Sequence, residues 1–137
     1  MVTTLENKEN FITQDSSKED IYIPDYECDL HCHTNRSDGN DSPLEFILKA
    51  KELKMKAVAV TDHGQMFGIL EFVSEAKKNG IKPIIGCETY VARNGMEQMS
   101  AKEDRSGYHL ILLAKNMTGY RNLVKLISLA NLKGFFY

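Results

Sequence analysis

The sequence has no apolar run approaching the roughly 20 residues needed to cross a bilayer. Its opening, Met1-Val2-Thr3-Thr4-Leu5-Glu6-Asn7-Lys8, lacks the basic-then-apolar pattern of a secretion signal. Membrane insertion and export are not expected, and the chain reads as cytoplasmic. Cysteine is scarce: Cys28, Cys32 and Cys87 are odd in number and lack framework spacing, which argues against a disulfide scaffold. Cys32 and Cys87 are expected to be buried thiols facing away from any ligand side. Positive charge is not in excess either. A net charge of -2 leaves no basic field over the chain, so nucleic acid would have to be held by a local patch, by metal ions or by sequence elsewhere. Histidine occurs at four positions only, 31, 33, 63 and 109. Their placement is correspondingly informative.

What is present is an ordinary globular composition, 42% hydrophobic and 26% charged. A length of 137 residues suffices for one core and hardly for two. Residues 1–24 are polar, rich in Glu, Asn, Ser, Lys and Asp, and read as a flexible extension. A first strand is expected at Glu27–His31, followed by a loop over Thr34–Asp41. Ser42-Pro43-Leu44-Glu45 then combines an N-cap, a proline at the first helical position and a glutamate three residues after the cap. That helix should run to Lys54, with Leu44, Ile47, Leu48, Lys51 and Leu53 on its apolar side.

Lys56–Thr61, with Ala-Val-Ala-Val at its centre, has the pattern of a strand buried on both faces. A second helix is expected over Phe67–Lys78, stopped by Asn79-Gly80, and a third strand over Lys82–Val91. This is a βαβαβ pattern, hence a parallel sheet with right-handed crossovers. Residues 92–107 are polar and show no helical period. The fourth strand, Tyr108–Ala114, follows without a crossover helix, so an antiparallel return beside the third strand is the natural connection. A last amphipathic helix is expected over Thr118–Leu132, with Leu123, Leu126, Ile127 and Ala130 on one side. Three aromatics, Phe135-Phe136-Tyr137, end the chain.

In parallel α/β folds functional groups collect at the carboxyl ends of the strands. His31 and His33, on one face of a strand, end the first; His63 ends the second; Glu88 lies late in the third. An antiparallel fourth strand returns His109 beside Glu88, and Asp38 lies in the loop above the first pair. Six candidate ligands thus converge on one rim. Each has a plainer reading alone: a surface His pair, a turn at Asp38-Gly39, a satisfied core imidazole at His109. Asp62 is expected to hold His63 by a hydrogen bond, or to cap the second helix, rather than to ligate. Imidazoles and carboxylates without thiolate suit zinc, manganese or iron. Six ligands exceed the usual set of one catalytic zinc, and two metals about 3.5–4 Å apart are the usual apparatus of phosphoester hydrolysis.

The runs His31-Cys32-His33-Thr34 to Ser37-Asp38-Gly39, Thr61-Asp62-His63-Gly64, Gly86-Cys87-Glu88 and His109-Leu110 resemble the PHP (polymerase and histidinol phosphatase) superfamily. Thr61–Gly68, Gly80–Glu88 and Gly119–Leu126 carry the resemblance further, to the N-terminal PHP domains of bacterial DNA polymerase III alpha subunits of the DnaE type. It covers about residues 27–137. The resemblance implies the N-terminal part, residues 25–137, of a distorted (β/α)7 barrel, mostly parallel with one antiparallel return, with a metal cluster at its mouth. It implies a metal-dependent phosphoesterase or 3′–5′ proofreading exonuclease in the complete domain.

The implied metal ligands are His31, His33, Asp38, His63, Glu88 and His109, with His31, His33, His63 and Glu88 as the catalytic set. Divalent ions are implied, zinc foremost with manganese or iron as alternatives, two or three in the complete domain. Single-stranded 3′ ends of DNA, reached through the full-length polymerase, and the remainder of polymerase III are the implied partners. The family's later ligands, a Cys or His and an Asp-x-His pair, are not in this sequence. The chain alone is therefore expected to bind metal weakly, to show little catalysis and to self-associate through an open barrel edge. The alternatives are a metal-stabilised module that braces the polymerase, and a stand-alone phosphatase of the same superfamily.

Overall fold

The computed structural model describes residues 27–97 and 107–134. The extension expected over residues 1–24, positions 98–106 of the polar stretch and the terminal aromatics lie outside the described residues. The elements run β1 (Cys28–Asp29), α1 (Pro43–Glu52), β2 (Ala57–Val60), α2 (Ile69–Lys78), β3 (Lys82–Val91), β4 (Tyr108–Leu113) and α3 (Met117–Lys133). One sheet orders its strands β1-β2-β3-β4. The first three are parallel and β4 returns antiparallel to β3, as the missing crossover helix requires.

The central strand explains the uninterrupted apolar run. Val58, Ala59 and Val60 are fully buried: β2 has a strand on either side, and Val58 and Val60 face the helices while Ala59 points to the opposite face. Val58 and Val60 join Ile47, Ala50, Ile69, Phe72, Ala76 and Ile81 in the core. The rings of Phe46 on α1 and Phe72 on α2 stack 6.0 Å apart. At the start of α1, Ser42 Oγ accepts from the Glu45 amide and the Glu45 carboxylate accepts from the Ser42 amide at 2.8 Å. Such a cap contributes about 1 kcal/mol.

Three expectations are corrected. The ladder of β1 covers Cys28–Asp29 only, so the histidines lie beyond it; the Thr61 amide still donates to the Cys32 carbonyl at 2.8 Å and keeps the run beside β2. The buried side of α1 is Pro43, Ile47 and Ala50, while Leu44 and Leu48 are 41% and 47% exposed. Ile47 of the expected apolar side is buried, and Phe46, outside that set, meets α2, so the covered face is rotated away from Leu44 and Leu48. On α3, Leu123 is buried, whereas Leu126 and Ala130 of the expected apolar side are exposed.

Truncating Phe72 to Ala should lower stability by about 3–5 kcal/mol in urea unfolding. Leu70→Ala, on the same helix but 81% exposed, should stay within about 0.5 kcal/mol.

Candidate metal centre

Glu88 is the hub of the rim. It lies on β3 and is buried, yet three imidazoles reach its carboxylate. His109 Nδ1 is 2.8 Å from Oε1, His33 Nε2 is 2.7 Å from Oε2 and His31 Nε2 is 3.5 Å from Oε2. Cross-strand register supplies His109: it stands opposite Tyr90, while Ile111 stands opposite Glu88. His63 arrives through an isolated parallel bridge to Glu88, fastened by the Gly64 amide donating to the Glu88 carbonyl at 2.8 Å.

Asp38 spans the other side. Its Oδ1 lies 2.6 Å from His33 Nδ1 and its Oδ2 3.2 Å from His63 Nδ1. A carboxylate accepts, so both imidazoles present their Nδ1–H to Asp38 and turn a bare Nε2 inward. Thr61 assigns the tautomer of His31 in the same way. Its hydroxyl donates to the Cys32 carbonyl at 3.1 Å, so at 2.8 Å it accepts from His31 Nδ1–H. His31 Nε2 is thereby left as a free lone pair.

These residues fit a cation. The Nε2 atoms of His33 and His63 are buried without a hydrogen-bond partner, and buried bare nitrogens are costly unless something binds them. The 2.7 Å approach of His33 Nε2 to Glu88 is off the hydrogen-bond direction; a bare lone pair facing a carboxylate calls for a positive charge between them. Three overlapping groups, His31/His33/Glu88, His33/Asp38/His63 and His63/Glu88/His109, each bring ligand atoms within 4.8 Å of one another. All six expected residues take part, and the sharing of His33, His63 and Glu88 suits more than one ion. Imidazole nitrogen and carboxylate oxygen, with no thiolate, is a donor set for zinc, manganese or iron.

The supporting residues were less legible. Asp62 neither holds His63 nor caps α2, whose N-cap is Gly68 without a side-chain cap. Its buried carboxylate instead accepts from the Thr34 amide at 2.6 Å, the Thr34 hydroxyl at 2.9 Å and the Ser37 hydroxyl at 3.1 Å. It pins the loop that carries Asp38. Gly39 is needed in the same loop because a Cβ there would overlap the His33 carbonyl. Arg36 ties this loop to α2 through Glu71 at 2.6 Å, and Gln65 donates to the Arg36 carbonyl. No sequence pattern marks Tyr90, although it lies two residues from Glu88 and so on its face of β3. Its ring stacks on His63 at 4.6 Å, a type of pair worth about 0.5–1.5 kcal/mol. Cys87 is buried as expected; Cys32 is only half-buried.

Burial would push the Glu88 carboxyl up. The hydrogen bond from His109 and the proximity of His63, His33 and His31 outweigh it and hold the group below its ordinary value. For Asp38, desolvation likewise pulls upward, but hydrogen bonds from His63 and His33 bring it from 3.8 down to about 2. A carboxyl with a lower pKa folded than unfolded adds stability that is complete above the unfolded value and disappears as pH falls through the folded one. The metal-free chain should therefore lose this contribution between 3.8 and about 2, and Asp38→Asn should remove that part of the acid-unfolding curve. An NMR titration placing the Asp38 midpoint at about 4, the unperturbed value, would refute it.

The chain is similar to several known proteins. The PHP domain family matches residues 29–137. A DNA polymerase III subunit alpha of Borreliella burgdorferi is 50% identical over 113 residues, 79% of this chain and 10% of that protein. Those of Helicobacter pylori strain 26695 and Chlamydia trachomatis are each 48% identical, over 79% of this chain and 9% of theirs. The chain thus spans about a tenth of the length of the relatives it matches. Among solved structures, an amidohydrolase from Chromobacterium violaceum, with bound sulfate and no metal, superposes with a TM-score of 0.55 and 28% identity, covering 77% of this chain and 34% of its own. With its βαβαβ order, its antiparallel return and the matched run from residue 29 onward, the chain belongs to the PHP domain family.

Proposed function

We propose that residues 25–137 form the N-terminal portion of a metal-dependent phosphoesterase domain that trims single-stranded 3′ ends of DNA within a larger DNA polymerase III alpha subunit. The observation that carries the reading is the set of inward Nε2 atoms around Glu88, two of them buried and unpartnered. His31, His33, Asp38, His63, Glu88 and His109 would hold two or three divalent ions, zinc foremost and manganese or iron as alternatives. Bound metal would supply Lewis acidity, activating water and neutralising charge on the phosphate and the departing alkoxide.

The chain's own groups set up that chemistry. Asp38 and Thr61 fix imidazole tautomers so that Nε2 donors point inward. Glu88 contributes the negative charge that offsets clustered cations, and its burial excludes water from one side of the rim. His31, His33, His63 and Glu88 form the inner set, with Asp38 and His109 completing it. That the relatives are DNA polymerase III alpha subunits favours DNA and the other polymerase parts as partners.

Equilibrium dialysis of the 137-residue chain against zinc or manganese, with elemental analysis, tests the metal reading. His33→Ala should weaken binding by at least about 10-fold. Cleavage belongs to the complete domain. It is measured on 5′-labelled single-stranded DNA after grafting residues 27–137 in place of their counterpart in the Helicobacter pylori subunit. Metal-dependent loss of 3′ nucleotides, abolished by His33→Ala, is expected. In that chimeric subunit, bound metal without cleavage would favour the bracing role, and no bound metal would end both.

The exposed edge supports self-association of the isolated chain. Tyr108, Leu110 and Leu113 on the last strand are 63%, 49% and 40% exposed. Sedimentation velocity should show mass rising with concentration; a monomer throughout would contradict this.

A further inference from the structure

Building on the metal-site reading above, we infer that Tyr90 is a positioning residue that fixes the imidazole plane of His63. His63 belongs to two of the three candidate ligand groups, one with Asp38 and His33 and one with Glu88 and His109. The angle of its ring decides where its inward nitrogen points. A single hydrogen bond of 3.2 Å from Nδ1 to an exposed carboxylate oxygen leaves that ring free to tilt about the N–H direction. Tyr90 removes the freedom. Its ring lies nearly parallel to His63, 4.6 Å away at 19°, and meets His109 edge-on at 5.1 Å and 87°. His63 and His109 are themselves edge-to-face at 4.6 Å. The three rings form one interlocked cluster in which no imidazole can turn without losing contact with the tyrosine.

The backbone is shaped to admit the ring. Gly64, directly after His63, has φ +66°, and a Cβ there would lie 3.1 Å from Tyr90 Cε2. The tyrosine therefore rests on a surface made flat by glycine. The neighbouring exposed tyrosine plays no such part: Tyr108 stands opposite Val91, on the other face of the sheet, with Arg93 over its ring. Tyr90 is itself 61% exposed, so its place at the rim serves the histidines more than the core.

The test uses the 137-residue chain with Tyr90→Phe, Tyr90→Leu and Tyr90→Met. The first readout is the set of nuclear Overhauser contacts between the His63 and His109 rings in metal-free protein, which report the plane of the His63 ring. Wild type and Tyr90→Phe should show the same strong ring-to-ring contacts; Tyr90→Leu and Tyr90→Met should show them weakened as the His63 ring tilts. The second is zinc affinity by equilibrium dialysis. Tyr90→Phe should stay within about twofold of wild type, whereas the two aliphatic variants should lose about 10-fold or more, the range seen when a group that orients a ligand is removed.

Tyr90→Met keeps most of the side-chain volume, and unchanged amide spectra elsewhere confirm the fold. Unaltered ring-to-ring contacts in both aliphatic variants would overturn the inference, as would a loss in Tyr90→Phe equal to theirs. If wild type binds no measurable zinc, the affinity comparison is made in the chimeric subunit, where absence of zinc would end the metal reading, while the spectra still decide whether Tyr90 holds His63.

Discussion

A carboxylate withdrawn from water has to be matched by positive charge or hydrogen bonds, and Glu88 is such a carboxylate. Three imidazoles meet it, two from the run after β1 and one from β4. They arrive by two routes, His31 and His33 on the run after β1 and His109 on the antiparallel return. If β4 ran parallel, His109 would stand at the far end of the sheet and one oxygen of Glu88 would lack its partner. The topology and the electrostatics of the rim are thus a single constraint. It costs stability in the metal-free chain, because bare nitrogens face a charged oxygen, and it is the arrangement that clustered cations relieve.

A second buried carboxylate holds the frame. Asp62 sits at the end of the central strand and accepts from Thr34 and Ser37, anchoring the loop that presents Asp38. Two acids far apart in the sequence, both touching the Ser37 hydroxyl, therefore do different work. Asp38 faces the imidazoles and the solvent, and Asp62 is satisfied internally and never reaches them. Thr61 and Tyr90 complete the support by orienting His31 and His63. This division, ligand candidates on the rim and orienting groups behind or beside them, is how metal sites hold imidazole tautomers.

The periphery has a different character. Leu126 and Leu132 on α3 and Tyr108 and Leu110 on β4 are well exposed. Scattered exposed leucines are ordinary, but a run of them along the last strand and its following helix is apolar surface of the kind that further chain or a partner covers.

Local pattern determined much of this protein. The Ser42–Glu45 cap, the doubly buried run at Val58–Val60, the bounds of β3 and the antiparallel turn at β4 were all legible, because each depends on residues adjacent in the chain or on connection length. The convergence of the six rim residues also followed, since strand ends in a parallel sheet share one side. Tertiary structure alone decided which face of α1 is covered, because burial depends on what packs there, and it buried Ile47 while leaving Leu44 and Leu48 half exposed. It alone decided that Asp62 serves Thr34 rather than His63, and that Tyr90 lies flat on an imidazole. Those contacts join residues some 25 to 30 positions apart, and their partners are set by distances in space that spacing along the chain does not encode.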